Sequence, residues 1–500
     1  MNPAETIDMT EASTGVTPSA AERYRTERTA HWDGVARMGD RAPNWGAYYH
    51  ARLAEVYRLQ VPEGQRVLEL GCGAGHLLAA VKPAHGVGID MSREMIERAR
   101  QAHPALTFEV ADAHALQHLT EPFDVIILSD LVNDLWDVQS VLDHVRRLSH
   151  PRTRVVMNFY SHLWELPLRA AGRLGLTRPL LYQNWLTTPD MANLLYLADL
   201  EVVRSWEEVL CPLRVPGLAR LCNRFLAKLW PFRHLALAHF VVARPRAGAL
   251  DAGSPAAAGR DRPTVSVIVP ARNEAGNIRA AFERTPRMGG GTELIFVEGH
   301  SSDDTWAAIE REMAAHPDVP SRAFRQTGKG KGDAVRLGFA EARGDILMIL
   351  DADLTMPPED LPRFYEAVAS GKADFANGVR LVYPQEKQAM RFLNLLGNKF
   401  FSAAFSWLLG QSLKDTLCGT KVLWRREYER IAANRAYFGE FDPFGDFDLL
   451  FGAAKQGLKI VDVPIRYRER TYGSTNIQRW SHGWLLLRMV IFAARRIKFV

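Results

Sequence analysis

Two carboxylates separated by one residue end an apolar run in the second half of the chain. Asp351 and Asp353 follow residues 346–350 in the stretch "DILMILDADLTMPPEDL". Carboxylates this close repel one another unless a cation lies between them, and their oxygens suit hard divalent cations. Asp and Pro are equally typical of a solvated turn after a strand. The spacing alone leaves both alternatives open.

A second candidate site is a glycine-rich turn in the first half. The stretch "VLELGCGAG" carries an acid and three alternating glycines: Glu69, Gly71, Gly73 and Gly75. Glycine allows a tight turn and the close approach of a ligand, although a strand–helix turn can need glycine for itself. Asp90 ends the next predicted strand, where an acid can bind ribose hydroxyls, and Asp112 ends the third, within reach of an adenine amine. His76 departs from the nicotinamide fingerprint.

These residues require strands that end at one edge of a sheet. Helices alternate with predicted strands at 66–70, 85–90, 106–112 and 123–130, and again with strands at 264–271, 293–299 and 345–353. This alternation predicts an α/β fold of two doubly wound domains, each with a parallel sheet. Open α/β sheets bind ligands at the carboxyl edge of their strands, so the acids of each half should gather there.

Composition divides the chain into segments. We predict a disordered tail at 1–20, a first domain at 21–244, a linker at 245–263, a second domain at 264–480 and an amphipathic C-terminal helix at 481–500. The linker is rich in Ala, Gly, Pro and Arg without periodicity, which is typical of a flexible tether. A tether near 20 residues would keep the two domains at a high mutual concentration.

The overall composition limits the function classes. The 500 residues exceed what one core usually serves, and 47% hydrophobic with 24% charged residues is typical of folded protein. A net charge of +5 does not indicate nucleic acid as a partner. Four dispersed cysteines form no C-x-x-C pair, and we see neither a secretory signal nor a membrane-spanning run. We therefore expect a cytoplasmic protein.

The first half resembles the class I S-adenosylmethionine-dependent methyltransferases over roughly residues 45–245, with the best match around the glycine turn. The resemblance implies that Glu69, Gly71, Gly73 and Gly75 border the methionine part of the cofactor. It implies that Asp90 holds the ribose and Asp112 the adenine. The acceptor side is left open, with Asn158, Tyr160, His162 and Asn184 as polar candidates. A binding module that retains cofactor affinity but transfers nothing is the alternative.

The second half resembles the family 2 glycosyltransferases, especially the dolichyl-phosphate mannosyltransferases and bacterial polyprenyl-phosphate sugar transferases. The matching pieces are "VIVPARNEAGNI", "VEGHSSDDT", "GKGKGDAVRLGF", "ARGDILMILDADL", "GVR", "LKDTLCGTKVL" and "VPIRYRERTYGSTNI". The resemblance implies an inverting transfer from a nucleoside diphosphate sugar, with Mg²⁺ or Mn²⁺ held by Asp351 and Asp353 to stabilise the departing diphosphate. The residues it assigns to substrate binding are Pro270, Arg272, Glu274, Glu298, Lys331, Arg380, Arg468 and Arg470.

Two kinds of acceptor remain open. A sugar hydroxyl needs a carboxylate as general base, and the resemblance assigns this role to Asp415, with Asp448 next in line. A polyprenyl phosphate is already ionised and needs cations, for which Arg380, Arg466, Arg468 and Arg470 are candidates. The last three alternate along a predicted strand at 463–470, so they would share one face, or they could simply keep an edge strand soluble.

Two apolar helices near the C-terminus suggest contact with a membrane. The segments "KQAMRFLNLLGNKFFSAAFSWLLG" and "WSHGWLLLRMVIFAARRIKFV" have wide apolar faces, basic edges and Trp, which suit a helix lying in the headgroup layer. Packing against the catalytic domain is the alternative. We therefore predict a bifunctional enzyme that contacts the inner face of the cell membrane peripherally; the sequence does not specify its oligomeric state.

Overall fold

The computed structural model describes residues 19–38, 47–173, 181, 183–213, 215–247, 262–380, 392–435, 446–465, 468, 470, 472 and 479–499. For the helical residues 392–398, 446 and 479–483, only the backbone is described. Most of the predicted tail and linker lies outside these residues. So do Arg466 and the start of the first apolar segment, up to Arg391.

The described residues contain fourteen strands. They are β1 Arg66–Leu70, β2 His85–Asp90, β3 Thr107–Val110, β4 Phe123–Ser129, β5 Ser149–Tyr160, β6 Leu200–Glu208, β7 Ala238–Pro245, β8 Val265–Ala271, β9 Thr292–Glu298, β10 Ser321–Arg325, β11 Ile346–Ile349, β12 Phe375–Val379, β13 Lys421–Trp424 and β14 Ile460–Pro464.

Sixteen α-helices pack around these strands in the described part of the chain. They are α1 Ala20–Met38, α2 Ala47–Gln60, α3 His76–Ala80, α4 Arg93–Ala102, α5 Val138–Arg147, α6 Glu165–Arg173, α7 Thr188–Leu197, α8 Leu218–Arg224, α9 Ile278–Arg284, α10 Thr305–Ala315, α11 Lys331–Glu341, α12 Leu361–Ala369, α13 Phe392–Leu409, α14 Arg425–Ala433, α15 Asp446–Lys455 and α16 Arg479–Ala493. A π-helical turn, Ala494–Lys498, follows α16.

The first sheet has the order β3-β2-β1-β4-β5-β7-β6. The strands from β3 to β5 are parallel, with Leu68 of β1 opposite Val87 of β2 and Ile126 of β4. Alternate side chains of these strands enter two buried clusters, one on each face of the sheet. The chain continues from β1 to β2 on one side of β1, and β4 lies on its other side. The strand order reverses at this point, which creates a crevice at the carboxyl edge of the sheet.

The second sheet has the order β10-β9-β8-β11-β13-β12-β14. Its strands β10, β9, β8 and β11 are parallel. In β8, Val265, Val267 and Val269 enter one core cluster while Ile268 enters the other, which is the period-2 pattern of a strand covered on both faces. The predicted fold class, two doubly wound α/β domains, is confirmed.

The expectation of wholly parallel sheets is wrong. Strand β7 runs antiparallel to both β5 and β6, and β13 runs antiparallel to β11 and β12. The strand predicted at 463–470 is also misplaced, because β14 ends at Pro464. The backbone of Arg468 instead donates a hydrogen bond to the carbonyl of Thr355 (2.9 Å), so Arg468 does not continue β14. Arg466 lies outside the described residues, and the shared face of the three arginines stays a prediction.

The two domains contact each other through a half-buried carboxylate. Asp374 at the start of β12 accepts hydrogen bonds from Arg154 of β5 (2.5 Å) and Arg244 of β7 (2.6 Å). The Arg244 side chain is 2% exposed and also donates to the carbonyls of Gly371 and Lys372. The guanidinium groups of Arg154 and Arg244 in the first domain are thereby paired with a carboxylate of the second. Direct contacts, as well as the connecting peptide, therefore join the two halves.

Candidate active sites

The glycine turn of the first domain is held by a carboxylate. The two oxygens of Asp90 accept hydrogen bonds from the backbone nitrogens of Gly73 (2.9 Å) and Ser92 (2.8 Å). Ser92 caps α4 by accepting from the Met95 nitrogen. Asp90 therefore fixes the turn between β1 and α3 against the end of β2, as a residue lining a cofactor crevice must.

The glycines of this turn have different neighbours. A Cβ added at Gly73 would meet nothing within 4 Å, so this residue faces open space where a ligand can approach. A Cβ at Gly75 would lie 2.5 Å from the Phe108 ring, so this glycine lets α3 pack against β3. Both have a positive φ, at 50° and 76°. The structure thus leaves space beside Gly73 and gives Gly75 a packing role, while contact of Gly73 with a cofactor stays a prediction.

Glu69 is suited to a cofactor. Its side chain is 2% exposed, and its Oε2 has no hydrogen-bond partner among the described residues. Burial raises the pKa of Glu69 well above its usual value, and burial also raises that of Asp90. A buried acceptor lacking a donor is costly, whereas S-adenosylmethionine would bring an ammonium, a sulfonium and ribose hydroxyls. The residues present therefore fit this cofactor.

Helix α1 lies over the predicted adenine end of the crevice. Its Arg25 is 3.1 Å from Asp112, and its Arg28 is 2.9 Å from Asp134. Asp112 also binds His114; burial opposes ionisation, but the hydrogen bonds from His114 and the Arg25 charge hold the pKa of Asp112 below its usual value. The sequence predicts that this segment is helical, but no feature of it indicated where the helix packs.

Asp130, which sequence reasoning missed, lies at the centre of a polar cluster beside this crevice. Its Oδ1 accepts hydrogen bonds from the Tyr49 hydroxyl (2.8 Å) and from the Asn158 amide, which in turn accepts from Tyr57. Leu131, the next residue, packs where a Cβ on Gly71 would lie. Asp130 directly follows β4, and Asp90 is the last residue of β2, so the strand-end rule applied to Asp90 would have found Asp130.

Of the predicted residues for the methyl acceptor, two lie near Asp130 and two do not. Asn158 belongs to the Asp130 cluster, and Tyr160 lies next to it, with its ring centroid 6.0 Å from that of Tyr49. Asn184 donates to the carbonyls of Val132 and Leu135, so its amide supports the loop after β4. His162 is exposed, and its role stays a prediction.

The twin acids of the second domain each carry a cation from the protein. Lys331 at the start of α11 lies 2.6 Å from Asp351, and Arg470 lies 2.9 Å from Asp353. Asp353 also accepts from the Thr355 backbone and hydroxyl through Oδ1. Burial opposes ionisation of Asp351, but the Lys331 ammonium holds its pKa below the usual value. The repulsion between the two acids is therefore offset by side-chain cations.

Arg470 joins Asp353 to the first loop of the domain. Its guanidinium lies 3.2 Å from Glu274, which follows β8 and accepts from Asn277 (2.7 Å). The loops after β8, β9 and β11 contain the positive-φ residues Asn273, His300 and Leu354, which bend these loops at the carboxyl edge. The structure therefore brings together Asp351, Asp353, Glu274, Lys331 and Arg470 as predicted neighbours.

The remaining predicted nucleotide residues line the same edge. Pro270 lies in β8 opposite Val297 of β9, and Arg272 follows β8 with its side chain exposed. Glu298 ends β9, is 7% exposed and accepts a hydrogen bond from the Ser301 nitrogen. These positions agree with a nucleotide-binding edge, while contact with a nucleotide stays a prediction.

The predicted acceptor acids do not form one cluster in the contacts described. Asp415 is fully buried, and Arg380 binds both of its oxygens at 2.7 and 2.9 Å. Asp448 of α15 instead accepts from Arg435 (2.8 Å). The Arg468 side chain is exposed. Asp415 therefore positions Arg380, and the catalytic role of Asp448 stays a prediction.

The twin acids fit a divalent cation only as part of a shared site. Among the described residues, no group of three or more His, Cys, Asp and Glu is arranged to hold a metal ion. Mg²⁺ is commonly held by one or two carboxylates together with substrate phosphates, so Asp351 and Asp353 suffice if a diphosphate completes the site. Gly419 suits such a site, because its lack of a Cβ lets the chain lie directly against Asp351 and Lys331.

Comparison with known proteins agrees with these geometries. The family described as "Glycosyl transferase family 2" matches residues 266–430, and a family described as "Methyltransferase domain" matches residues 62–188. The chain is 30% identical over 220 residues to a dolichyl-phosphate hexose transferase of Haloferax volcanii, covering 44% of this chain and 89% of that protein. The chain belongs to the family 2 glycosyltransferases through its second half, and carries a methyltransferase domain in its first.

Other similar proteins match in part. A dolichol-phosphate mannosyltransferase of Pyrococcus furiosus is 30% identical over 221 residues, covering 43% of this chain and 59% of that protein's length. A solved structure of an S-adenosylmethionine-dependent methyltransferase from Mesorhizobium loti aligns with a TM-score of 0.31 and 22% identity, covering 38% of this chain and 97% of that protein.

Proposed function

We propose that the second domain transfers a sugar with inversion from a nucleoside diphosphate sugar to a polyprenyl phosphate. The observation that carries this proposal is the pairing of Lys331 with Asp351 and of Arg470 with Asp353. Two phosphate-binding cations are already at the twin acids, from which they can move to an incoming diphosphate. A bound Mg²⁺ or Mn²⁺, held by Asp351 and Asp353, would supply Lewis-acid stabilisation of the leaving diphosphate.

The state of Asp415 favours a phosphate over a hydroxyl acceptor. A general base needs a free lone pair aimed at the proton it removes. The Oδ2 of Asp415 accepts from both the backbone nitrogen and the Nε of Arg380, and its Oδ1 accepts from Arg380 and from the Leu417 nitrogen. An acceptor phosphate needs no base, and the guanidinium that Asp415 orients can bind it. The names of the relatives above also specify dolichyl phosphates.

The test is to incubate the full-length protein with a panel of nucleoside diphosphate sugars, with and without polyprenyl phosphate, and to measure released nucleotide. We expect release to depend on polyprenyl phosphate and to stop when a chelator removes divalent cations. Full turnover under chelation contradicts the metal role, and equal turnover with a glycan acceptor contradicts the choice of a phosphate.

We propose that an apolar, basic surface spanning both domains contacts the inner face of the cell membrane. It carries exposed Leu166, Trp230 and Trp484, and the Phe225 ring contacts the Phe499 ring (5.4 Å), which connects the two domains. Residues 209–236 and 479–499 contain no Asp or Glu but ten Lys and Arg, which complements anionic headgroups.

The packing of the two apolar helices supports a peripheral contact. Phe405 and Leu408 of α13 and Met489 of α16 enter the core of the second domain, so each helix buries one face in the protein. None of the described helices is both long enough and apolar enough to cross a bilayer. Sedimentation with phosphatidylglycerol vesicles tests the surface. We expect binding that a Trp230→Ser and Trp484→Ser double variant loses, and unchanged binding would contradict the proposal.

We propose that the first domain binds S-adenosylmethionine and methylates an acceptor hydroxyl, with Asp130 as the base. Both donors to Asp130 bind Oδ1, and no hydrogen bond from the described residues reaches Oδ2, which is left for an acceptor. Burial raises the pKa of Asp130 to about 7, which suits a base near neutral pH. When bound, S-adenosylmethionine would supply the methyl group, and Asp130 would take the proton that the acceptor hydroxyl loses when its oxygen is methylated.

The alternative is a regulatory module that binds the cofactor without transfer. Calorimetry with S-adenosylmethionine and S-adenosylhomocysteine, together with mass spectrometry of candidate acceptors, distinguishes the two. Binding with a methylated product supports transfer, and binding without any product across lipid-linked sugar acceptors supports the regulatory module.

A further inference from the structure

A small cavity between the two domains has four cationic side chains and one acid among its lining residues. Its volume is about 40 Å³, which exceeds the ~15 Å³ that one water molecule requires. Helix α2 and strand β6 of the first domain line it together with the end of α13 and the π-helical turn of the second. The charged lining residues are Arg52, Arg204, Glu208, Lys228 and Lys498.

The single acid of this lining is already shared. Glu208 is 4% exposed and pairs with both Lys228 and Arg52, the latter at 3.3 Å. Lys498 lies 5.4 Å from the centroid of the Trp407 ring. Burial and the nearby Lys228 charge lower the pKa of Lys498 to about 8. The charged lining residues therefore carry an excess of positive charge.

The positive charge of Arg204 has no acidic partner among the described residues. Its side chain is 8% exposed, its Nε is buried without a hydrogen-bond partner, and no hydrogen bond or ion pair joins it to the described residues. Its one charge-specific contact is the face of Trp206, 4.8 Å away. The pairing of β6 with β7 shifts register between Val202 and Arg204, an irregularity that redirects the side chains beyond it.

A buried guanidinium without an anion is costly and calls for a compensating group. Burial lowers the pKa of Arg204 to about 10. We propose that the interdomain cavity binds a small oxyanion of the phosphate class, with Arg204 and Lys498 as its donors. The planar fork of Arg matches a tetrahedral oxyanion, and Lys adds a point charge.

The ligand could come from either of two sources with the same chemistry. Lys498 immediately precedes Phe499, whose ring contacts Phe225 on the exposed apolar surface, so a lipid phosphate headgroup could reach the cavity. A free phosphate could reach it from solution. This site is independent of both proposed active sites, because none of its charged residues belongs to either.

The test is thermal unfolding of the full-length protein against inorganic phosphate at constant ionic strength, with chloride as the reference anion. We expect phosphate to raise the Tm of the natural protein more than chloride does. Arg204→Met removes the charge but keeps the bulk, so it should raise the Tm in phosphate-free buffer and weaken the phosphate affinity about tenfold or more. The matched control is Arg279→Met, because Arg279 lies exposed on α9 and should leave the response unchanged.

A natural protein that does not respond to phosphate overturns the proposal, and so does an Arg204→Met variant that keeps the full response. Should Arg204→Met fail to fold, Lys498→Gln supplies the same test through its phosphate affinity. Vesicles of phosphatidylglycerol and of phosphatidylcholine distinguish the sources. Weaker binding of Arg204→Met to phosphatidylglycerol identifies a headgroup, and unchanged vesicle binding with a lost phosphate response identifies a free ion.

Discussion

The acids of the two candidate active sites are stabilised in opposite ways. In the first domain, Glu69, Asp90 and Asp130 are bound by uncharged donors or by none, and burial raises their pKa values. In the second, Asp351 and Asp353 each have a Lys or Arg partner. The acids around the glycine turn therefore lack cationic partners, although Asp112 further along the crevice pairs with Arg25, whereas both twin acids have one. This contrast agrees with the proposed ligands, a cationic cofactor at the turn and a diphosphate at the twin acids.

The largest effect is expected from Asp353→Asn. Loss of this carboxylate removes one of the two residues proposed to hold the metal and one of the carboxylates that bind Arg470, so release of nucleotide should fall by roughly 10³-fold or more. Binding of S-adenosylmethionine by calorimetry should not change. Asp318→Asn is the control, because Asp318 pairs with Arg287 at an exposed position. Near-normal sugar transfer by Asp353→Asn would show that the twin acids and their cation partners are not needed for the reaction.

Asp130→Asn should lower methyl transfer by about 10²- to 10⁴-fold while the cofactor still binds. The natural enzyme should show a rate that rises with pH and levels off above about pH 7, because the base must lose its proton to act. The variant should lose this profile. A variant with an unchanged profile would show that Asp130 only supports Tyr49 and Asn158.

Arg470→Met should raise the KM for the nucleoside diphosphate sugar by roughly 10- to 100-fold, since charge-assisted hydrogen bonds to phosphate would be lost. Arg470→Lys should recover part of the loss by restoring the charge without the fork. Equal kinetics for both variants and the natural protein would show that the cation partner of Asp353 has no part in binding.

The smallest effect concerns stability against pH. Asp130 has a raised pKa, so its contribution to stability is complete below the unfolded value and is lost as the pH rises through about 7. Asp351 has a lowered pKa, so its contribution is present above the unfolded value and is lost as the pH falls through the folded value. Denaturant titration of Asp130→Asn should show the loss of a pH dependence of roughly 1 kcal/mol per pH unit between the unfolded value and about pH 7. If Asp130→Asn keeps the pH dependence of the natural protein, the contrast between the acids of the two domains is wrong.

The strand-end acids were predictable, and their partners were not. An apolar run that stops at Asp90, Asp351 or Asp353 places each acid at the carboxyl edge of a parallel sheet, as observed. The pairing of Lys331 with Asp351 depends on how the loop before α11 approaches β11, and Arg470 reaches Asp353 from 117 residues further along the chain. Sequence spacing contains no information on such tertiary contacts. Lys331 and Arg470 were therefore predicted to bind phosphate, whereas the structure pairs them with carboxylates.

The edges of the sheets were harder to predict than their centres. Strands β6 and β7 contain Arg204, Glu208 and Arg244, which the hydrophobic pattern reads as surface residues. All three are buried, because the second domain covers this edge. A pattern of polar residues indicates exposure only when no other domain packs against it, which is why the interdomain surface and its cavity are visible only in the folded chain.

The Asp374 contacts imply that the peptide between the two halves is not the main link that holds them together. Arg154 and Arg244 already bind this carboxylate, and Arg154 also donates to the carbonyl of Gly457 (2.6 Å). Protease cleavage anywhere between positions 248 and 261 would therefore yield two fragments that still co-elute on gel filtration. The two candidate sites would then keep a set distance from one another even after that peptide is cut.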